Sequence, residues 1–159
     1  MRGEDEFGTA IFIDDPTATV SINKVEIDVD LDIKKFDKIG PDYLQTTKGI
    51  PIFSEKFVTS MPEAFAQSVT MVPATLYLRG GTRDYRAGKI ELALDLIDTD
   101  ASSFSNIRGI RILTRPVFKP VTQEFYLARD HAFRMYMVAS EKLVQQVETH
   151  GLKLEFLPY

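Results

Sequence analysis

The sequence predicts an α+β fold in a single domain, with a mixed sheet and two pseudo-repeated strand-helix-strand units, and three observations lead there. Apolar and polar residues alternate over residues 25–33 and again over 90–96, the period of half-buried strands. Leu143, Val144 and Val147 instead recur at helical spacing, with Glu141, Lys142, Gln145, Gln146 and Glu148 left for the wet side. A short pattern also occurs twice, over residues 50–77 and 135–159: an apolar run, Ser-Glu-Lys, a helical stretch and a closing apolar run ending in proline. A chain of 159 residues is of a size to form one domain around one core.

Taken in order, the first six residues are polar and expected to fray. Ile11, Phe12 and Ile13 read as a short strand stopped by the turn chemistry of Asp14-Asp15-Pro16. Residues 20–33 read as a longer strand, in which Val25, Ile27, Val29, Leu31 and Ile33 enter the core while Glu26, Asp28, Asp30 and Asp32 form an acidic stripe on the other side. Residues 34–44 then read as a loop.

The first repeat unit follows, with Ser54 as the N-cap of its helix, the hydroxyl accepting from an otherwise unpaired first-turn amide. Ser60 and Glu63 form a second capping box, and Pro62 predicts a break or restart there. Residues 74–79 continue the closing strand to Gly80-Gly81, and residues 82–88 read as a polar, basic connection. After the strand at 90–96, residues 107–113 give a further strand, Pro116 and Pro120 break the chain, and residues 125–133 fit either a strand or a short helix. In the second unit Ser140 is the matching N-cap and Gly151 supplies the left-handed residue that stops the helix.

Composition narrows the function. The chain has no cysteine, hence no disulfide framework, thiolate metal site or cysteine nucleophile, which suits the cytoplasm. No apolar run reaches the roughly 18 residues of a membrane helix, and the N-terminus lacks the regions of a signal peptide. A net charge of −4 and a pI near 5.2 disfavour nucleic acid and suit a basic protein partner.

The candidate chemical motifs are incomplete. Asp28-x-Asp30-x-Asp32 opens like a calcium loop, but Ile33 stands where glycine is needed and Ile39 where a bidentate glutamate is needed. Asp98-x-Asp100-x-Ser102 fails at Ser103 and Gly109. The two histidines make no metal pair, and His150 suits the negative end of a helix dipole. His131 is the one candidate general base, without a nucleophile elbow beside it. Arg79-Gly80-Gly81-Thr82-Arg83 lacks the phosphate-loop spacing and reads as a turn between strands, although Arg79, Arg83, Arg86 and His131 together would be the residues of an enzyme or small-ligand binder. The acidic stripe has two readings: a partner-binding surface made of Glu26, Asp28, Asp30 and Asp32, or an edge strand charged to prevent aggregation.

Residues 49–56 (Gly-Ile-Pro-Ile-Phe-Ser-Glu-Lys), Leu94-Asp95-Leu96-Ile97-Asp98 with Ser102-Ser103-Phe104, Ala132-Phe133-Arg134, and Val138-Ala139-Ser140-Glu141-Lys142 running to Gly151 and Phe156 carry a resemblance over residues 40–159. In their order and spacing they resemble the bacterial immunity proteins of polymorphic toxin systems, in particular the eleventh class, first known as a domain of unknown function. The resemblance implies a small cytoplasmic protein, not an enzyme, that binds and neutralises a cognate toxin domain without cofactor or metal. A toxin acting on nucleic acid, a basic nuclease, would suit the acidic stripe.

Overall fold

The computed structural model describes residues 24–157. The expectations for residues 1–16, residues 20–23 and Pro158 lie outside the described residues.

In chain order the elements are β1 (Val25–Asp32), α1 (Ile33–Ile39), β2 (Tyr43–Gln45), β3 (Pro51–Phe53), α2 (Glu55–Ser60), α3 (Glu63–Ser68), β4 (Val69–Arg79), β5 (Gly81–Ile90), β6 (Ala93–Leu94), β7 (Ser103–Ile107), β8 (Ile110–Arg115), β9 (Leu127–Asp130), β10 (Met137–Ala139) and α4 (Glu141–Thr149). The chain is α+β with a mixed five-stranded sheet in the order β1-β4-β5-β3-β2, in which only β1 and β4 run parallel. A three-stranded sheet, β10-β9-β6, and a two-stranded ribbon, β7-β8, accompany it.

The alternation along β4 and β5 sorts side chains onto two faces. On one, Val72, Ala74, Leu76, Leu78, Tyr85 and Ala87 pack with Val25 and Ile27 of β1 and with Phe36 of α1. On the other, Val69 and Ile90 join Phe53, Phe57 and Phe65 with Leu143 and Val147 of α4. The phenylalanines stack closely, with ring centroids of Phe53 and Phe57 4.6 Å apart. Gly88 makes room for this, because a β-carbon there would lie 2.6 Å from Phe53 Cε2.

Both predicted serine caps form. Ser54 Oγ accepts from Phe57 N at 3.0 Å, and Ser140 Oγ accepts from Leu143 N at 3.4 Å. Gly151 is left-handed at φ 55°. The chain breaks at Met61-Pro62 as expected, but Ser60 ends α2 instead of capping α3, whose N-cap, Pro62, makes no side-chain bond.

The two repeat units agree through their strand, cap and helix and diverge after it. In residues 50–77 the helices lead into β4, an eleven-residue strand, and β5 lies between β3 and β4, so the flanking strands are not neighbours. In residues 135–159 the expected closing strand is absent from 152–157. That segment is held instead by Lys153, which exchanges hydrogen bonds with Asp42 (Asp42 N to Lys153 O at 2.9 Å, Lys153 N to Asp42 Oδ2 at 2.8 Å) and donates from Nζ to Ile39 O at 3.1 Å, and by Leu152, Leu154 and Phe156 packing on the phenylalanine core.

Four local expectations are corrected. The strand containing the acidic stripe ends at Asp32, whose carboxylate caps α1 by accepting from Lys34 N at 2.9 Å, so residues 33–39 are helical and not a loop. Residues 82–88 belong to β5, the hairpin partner of β4 across the left-handed Gly80 (φ 97°). Residues 90–96 do not form one strand, since Ile90 ends β5 and only 93–94 belong to β6. The single strand expected at 107–113 is the hairpin β7-β8, turning at Arg108 (φ 53°) and Gly109 (φ 83°). The undecided stretch 125–133 contains β9.

Candidate functional site

The acidic stripe lies on β1, at the edge of the five-stranded sheet. Three of its four carboxylates already have partners within the chain. Glu26 Oε1 accepts from Tyr77 Oη at 2.8 Å, Asp30 Oδ1 lies 3.4 Å from Arg79 Nε, and Asp32 caps α1. Asp28 stands opposite Tyr77 in the register and is exposed. The pairings are solvent-facing, since the Asp30 side chain is 96% accessible, so they trim the stripe's field without removing it.

The arginine and histidine candidates do not converge. Arg79 faces Asp30; Arg83 makes a two-pronged contact with Asp37 of α1, Nε to Oδ1 at 2.8 Å and Nη2 to Oδ2; Arg86 Nε meets Glu55 Oε2 of α2 at 3.0 Å. Positions 83 and 86 differ by an odd number along β5, so these two arginines serve opposite faces of the sheet. His131 is exposed beyond the end of β9, in the smaller sheet, where its backbone N–H donates to Leu94 O at 2.8 Å. Among the described residues no group of three His, Asp or Glu is placed to hold a metal ion, and no helix is long and apolar enough to cross a membrane.

Two buried carboxylates not singled out from the sequence organise the molecule. Asp42 Oδ1 accepts from Ser54 Oγ at 2.6 Å while Oδ2 accepts from Lys153 N, joining the start of α2 to the C-terminal segment. Asp130 accepts four backbone amides: Leu96 and Ile97 at 3.0 and 2.9 Å through Oδ2, and Ala132 and Phe133 at 2.9 and 2.7 Å through Oδ1. Its neighbour Arg129 is buried as well and bridges the sheets, Nη2 donating to Gly49 O at 2.9 Å and Nη1 to Arg134 O at 2.7 Å. Burial pushes its pKa down to about 10, partly offset by Tyr43. The phenol of Tyr43 is itself pushed up to about 12 by burial, against the pull of Arg129.

Tyr43 also lines a cleft of about 1170 Å³ together with Phe53, Phe57, Leu127, Met137 and Leu143. Its rim carries the ion pair of Lys142 with Glu124, 2.6 Å apart. The mainly apolar lining suits an apolar occupant.

A further surface feature is the β7-β8 ribbon, with Ile107, Ile110 and Ile112 exposed. In a single strand Ile107 would face away from Ile110 and Ile112; the turn at Arg108-Gly109 puts all three on one face. Comparison with protein-family models and with curated proteins finds no match.

Proposed function

We propose that this chain is an immunity protein of a bacterial polymorphic toxin system, which binds a cognate toxin domain and blocks it by protein contact. The observation that carries the reading is the fate of the charged candidates. Arg79, Arg83 and Arg86 each face a carboxylate of the chain and scatter over the sheet, while Asp28 and Asp30 on the β1 edge face solvent. Surface charge of this kind favours macromolecular encounter over catalysis, and complementary charge acts mainly on the association rate. Glu26, Asp28, Asp30 and Asp32 would then steer a basic toxin, such as a nuclease, towards the protein in the cytoplasm.

The test is co-expression with the C-terminal domain encoded by the neighbouring reading frame. The reading expects rescue of growth and a complex that survives gel filtration; growth arrest with no complex sinks it. A second reading, a binder of small apolar ligands, is favoured by the cleft between Tyr43, Leu127 and Leu143 and not by the Arg79, Arg83, Arg86 and His131 group. It expects a fluorescent apolar probe to bind the wild type and to be lost on Leu143→Lys in folded protein.

A further inference from the structure

We infer that the β7-β8 ribbon is the anchor by which the protein grips its partner, and that the partner presents an apolar groove rimmed by carboxylates. This deepens the toxin-neutralising reading and rests on it.

The register pairs Ile107 with Ile110 and Ser105 with Ile112, so Ser105, Ile107, Ile110 and Ile112 share one face of the ribbon. The opposite face is turned to the body of the protein. There Phe104 meets Phe133 at 5.9 Å between ring centroids, and the Arg111 guanidinium lies 3.8 Å above the Phe104 ring. The isoleucine face is therefore the outer one, with Ile107 54%, Ile110 67% and Ile112 41% exposed. Three adjacent β-branched side chains on the outer face of a two-stranded ribbon form an apolar patch of the kind that marks interaction sites.

The ribbon is firmly mounted. At its root Val117 N donates to Ser102 Oγ at 2.8 Å, Ser102 N to Asp98 O at 2.9 Å and Asp98 N to Val117 O at 2.8 Å. The Phe133 that supports it is held by Asp130.

Charge identifies the partner. Residues 101–123 contain Arg108, Arg111, Arg115 and Lys119 and no carboxylate, in a chain of net charge −4. Arg108 adds an independent observation. It occupies the left-handed first position of the two-residue turn at φ 53°, where Asn, Asp or Gly is the locally stable choice. A long cation held there against local preference points to a contact made by its head group. Arg111 is engaged by the Phe104 ring on the inner face, whereas Arg108 at the tip is exposed and, among the described residues, paired to no carboxylate, so that contact is available to an acidic rim.

A protein fits better than the other polyanions. The three isoleucines at the centre of the face offer nothing to a phosphate backbone. A bilayer core would leave the unpaired backbone groups of the ribbon's open edges without hydrogen bonds, whereas a partner strand could satisfy them.

The experiment measures binding of wild type, Ile110→Asp/Ile112→Asp and Arg108→Asp to the C-terminal domain of the neighbouring reading frame, with melting curves as a control on folding. The expected result is a loss of at least about ten-fold in affinity for the isoleucine variant. Arg108→Asp should weaken binding several-fold while leaving the melting temperature unchanged or higher, because aspartate suits the turn; it keeps the test valid if the double variant unfolds. Wild-type binding that both folded variants retain overturns the inference and leaves the functional reading standing. No wild-type binding overturns both. Ribbon-dependent co-sedimentation with phosphatidylserine/phosphatidylcholine vesicles, with an unchanged protein complex, overturns the choice of a protein partner.

Discussion

The β1 edge and the β7-β8 ribbon are both short stretches of surface strand, yet they are built on opposite plans. The edge carries four carboxylates over a buried apolar side, and three of those carboxylates already touch Tyr77, Arg79 or the first turn of α1. The ribbon carries Arg108 at the tip of an exposed isoleucine face, and its aromatic side, where Arg111 stacks on Phe104, is what binds it to the body. Charge in water acts at a distance and is screened within about 10 Å at 0.1 M salt, whereas apolar area acts on contact and is what lengthens the life of a complex. On the proposed function, the difference would give the edge the steering and the ribbon the grip.

The largest effect should come from cutting the ribbon's mounting. Asp130→Ala leaves four backbone amides, two of them buried, without their acceptor and should cost about 3 kcal/mol, read as a shift in the urea midpoint. The corresponding change on the edge, Asp32→Ala, removes one helix cap and should cost only about 1 kcal/mol. Equal costs would mean that the ribbon is not tied into the core as the Asp130 geometry requires.

Alkaline pH probes the body that carries both surfaces. Tyr43 is pushed up to about 12 by burial, and Tyr85, whose hydroxyl donates to Pro41 O at 2.6 Å, is also pushed up to about 12, chiefly by burial. Below the ordinary phenol value near 10 both are protonated in the folded and unfolded chains alike. Above it the unfolded chain ionises first, so stability falls as the pH climbs from about 10 to about 12. Arg129, held near 10, opposes this over the same range because the folded chain releases its proton first. Tyr43→Phe should therefore lessen the loss of urea midpoint between pH 9.5 and 11.5; a loss as steep as in wild type would show that Tyr43 ionises freely in the fold.

Smaller effects separate steering from grip. Changing Asp28, Asp30 and Asp32 together to Asn should slow association with the toxin domain a few-fold and flatten its dependence on salt, with little change in dissociation. Asparagine retains the capping oxygen at position 32, so stability should hold. If the variant instead associates normally and scatters more light, the stripe serves only to protect the strand edge. His131→Ala should change neither stability nor binding measurably, since its side chain is exposed; a folded His131→Ala protein without toxin protection would revive the reading in which it does chemistry.

What was legible in the sequence was local and periodic. The alternation of Val25, Ile27 and Val29, the caps at Ser54 and Ser140, the break at Pro62 and the stop at Gly151 each depend on a few neighbouring residues, and each is in place. What escaped depends on partners far along the chain. Residues 82–88 looked like a basic connection because Arg83 and Arg86 hid the alternation of Tyr85 and Ala87, and those arginines are stabilised in a strand by Asp37 and Glu55, on two helices. The closing strand of the second unit is replaced by an irregular segment whose partners, Asp42 and Ile39 for Lys153 and the phenylalanine core for Leu152, lie far along the chain. The ribbon went unread as a hairpin because arginine is a poor signal for the first position of its turn, and with the turn unseen the three isoleucines could not be placed on one face.

Hydrogen exchange of the backbone amides, with and without the toxin domain, tests the central assignment most directly. New protection is expected to concentrate in residues 103–115, in both strands of the ribbon and its tip, with a weaker, salt-sensitive change at residues 25–32. Strong protection confined to residues 25–32, with the ribbon exchanging as freely in the complex as alone, would contradict it.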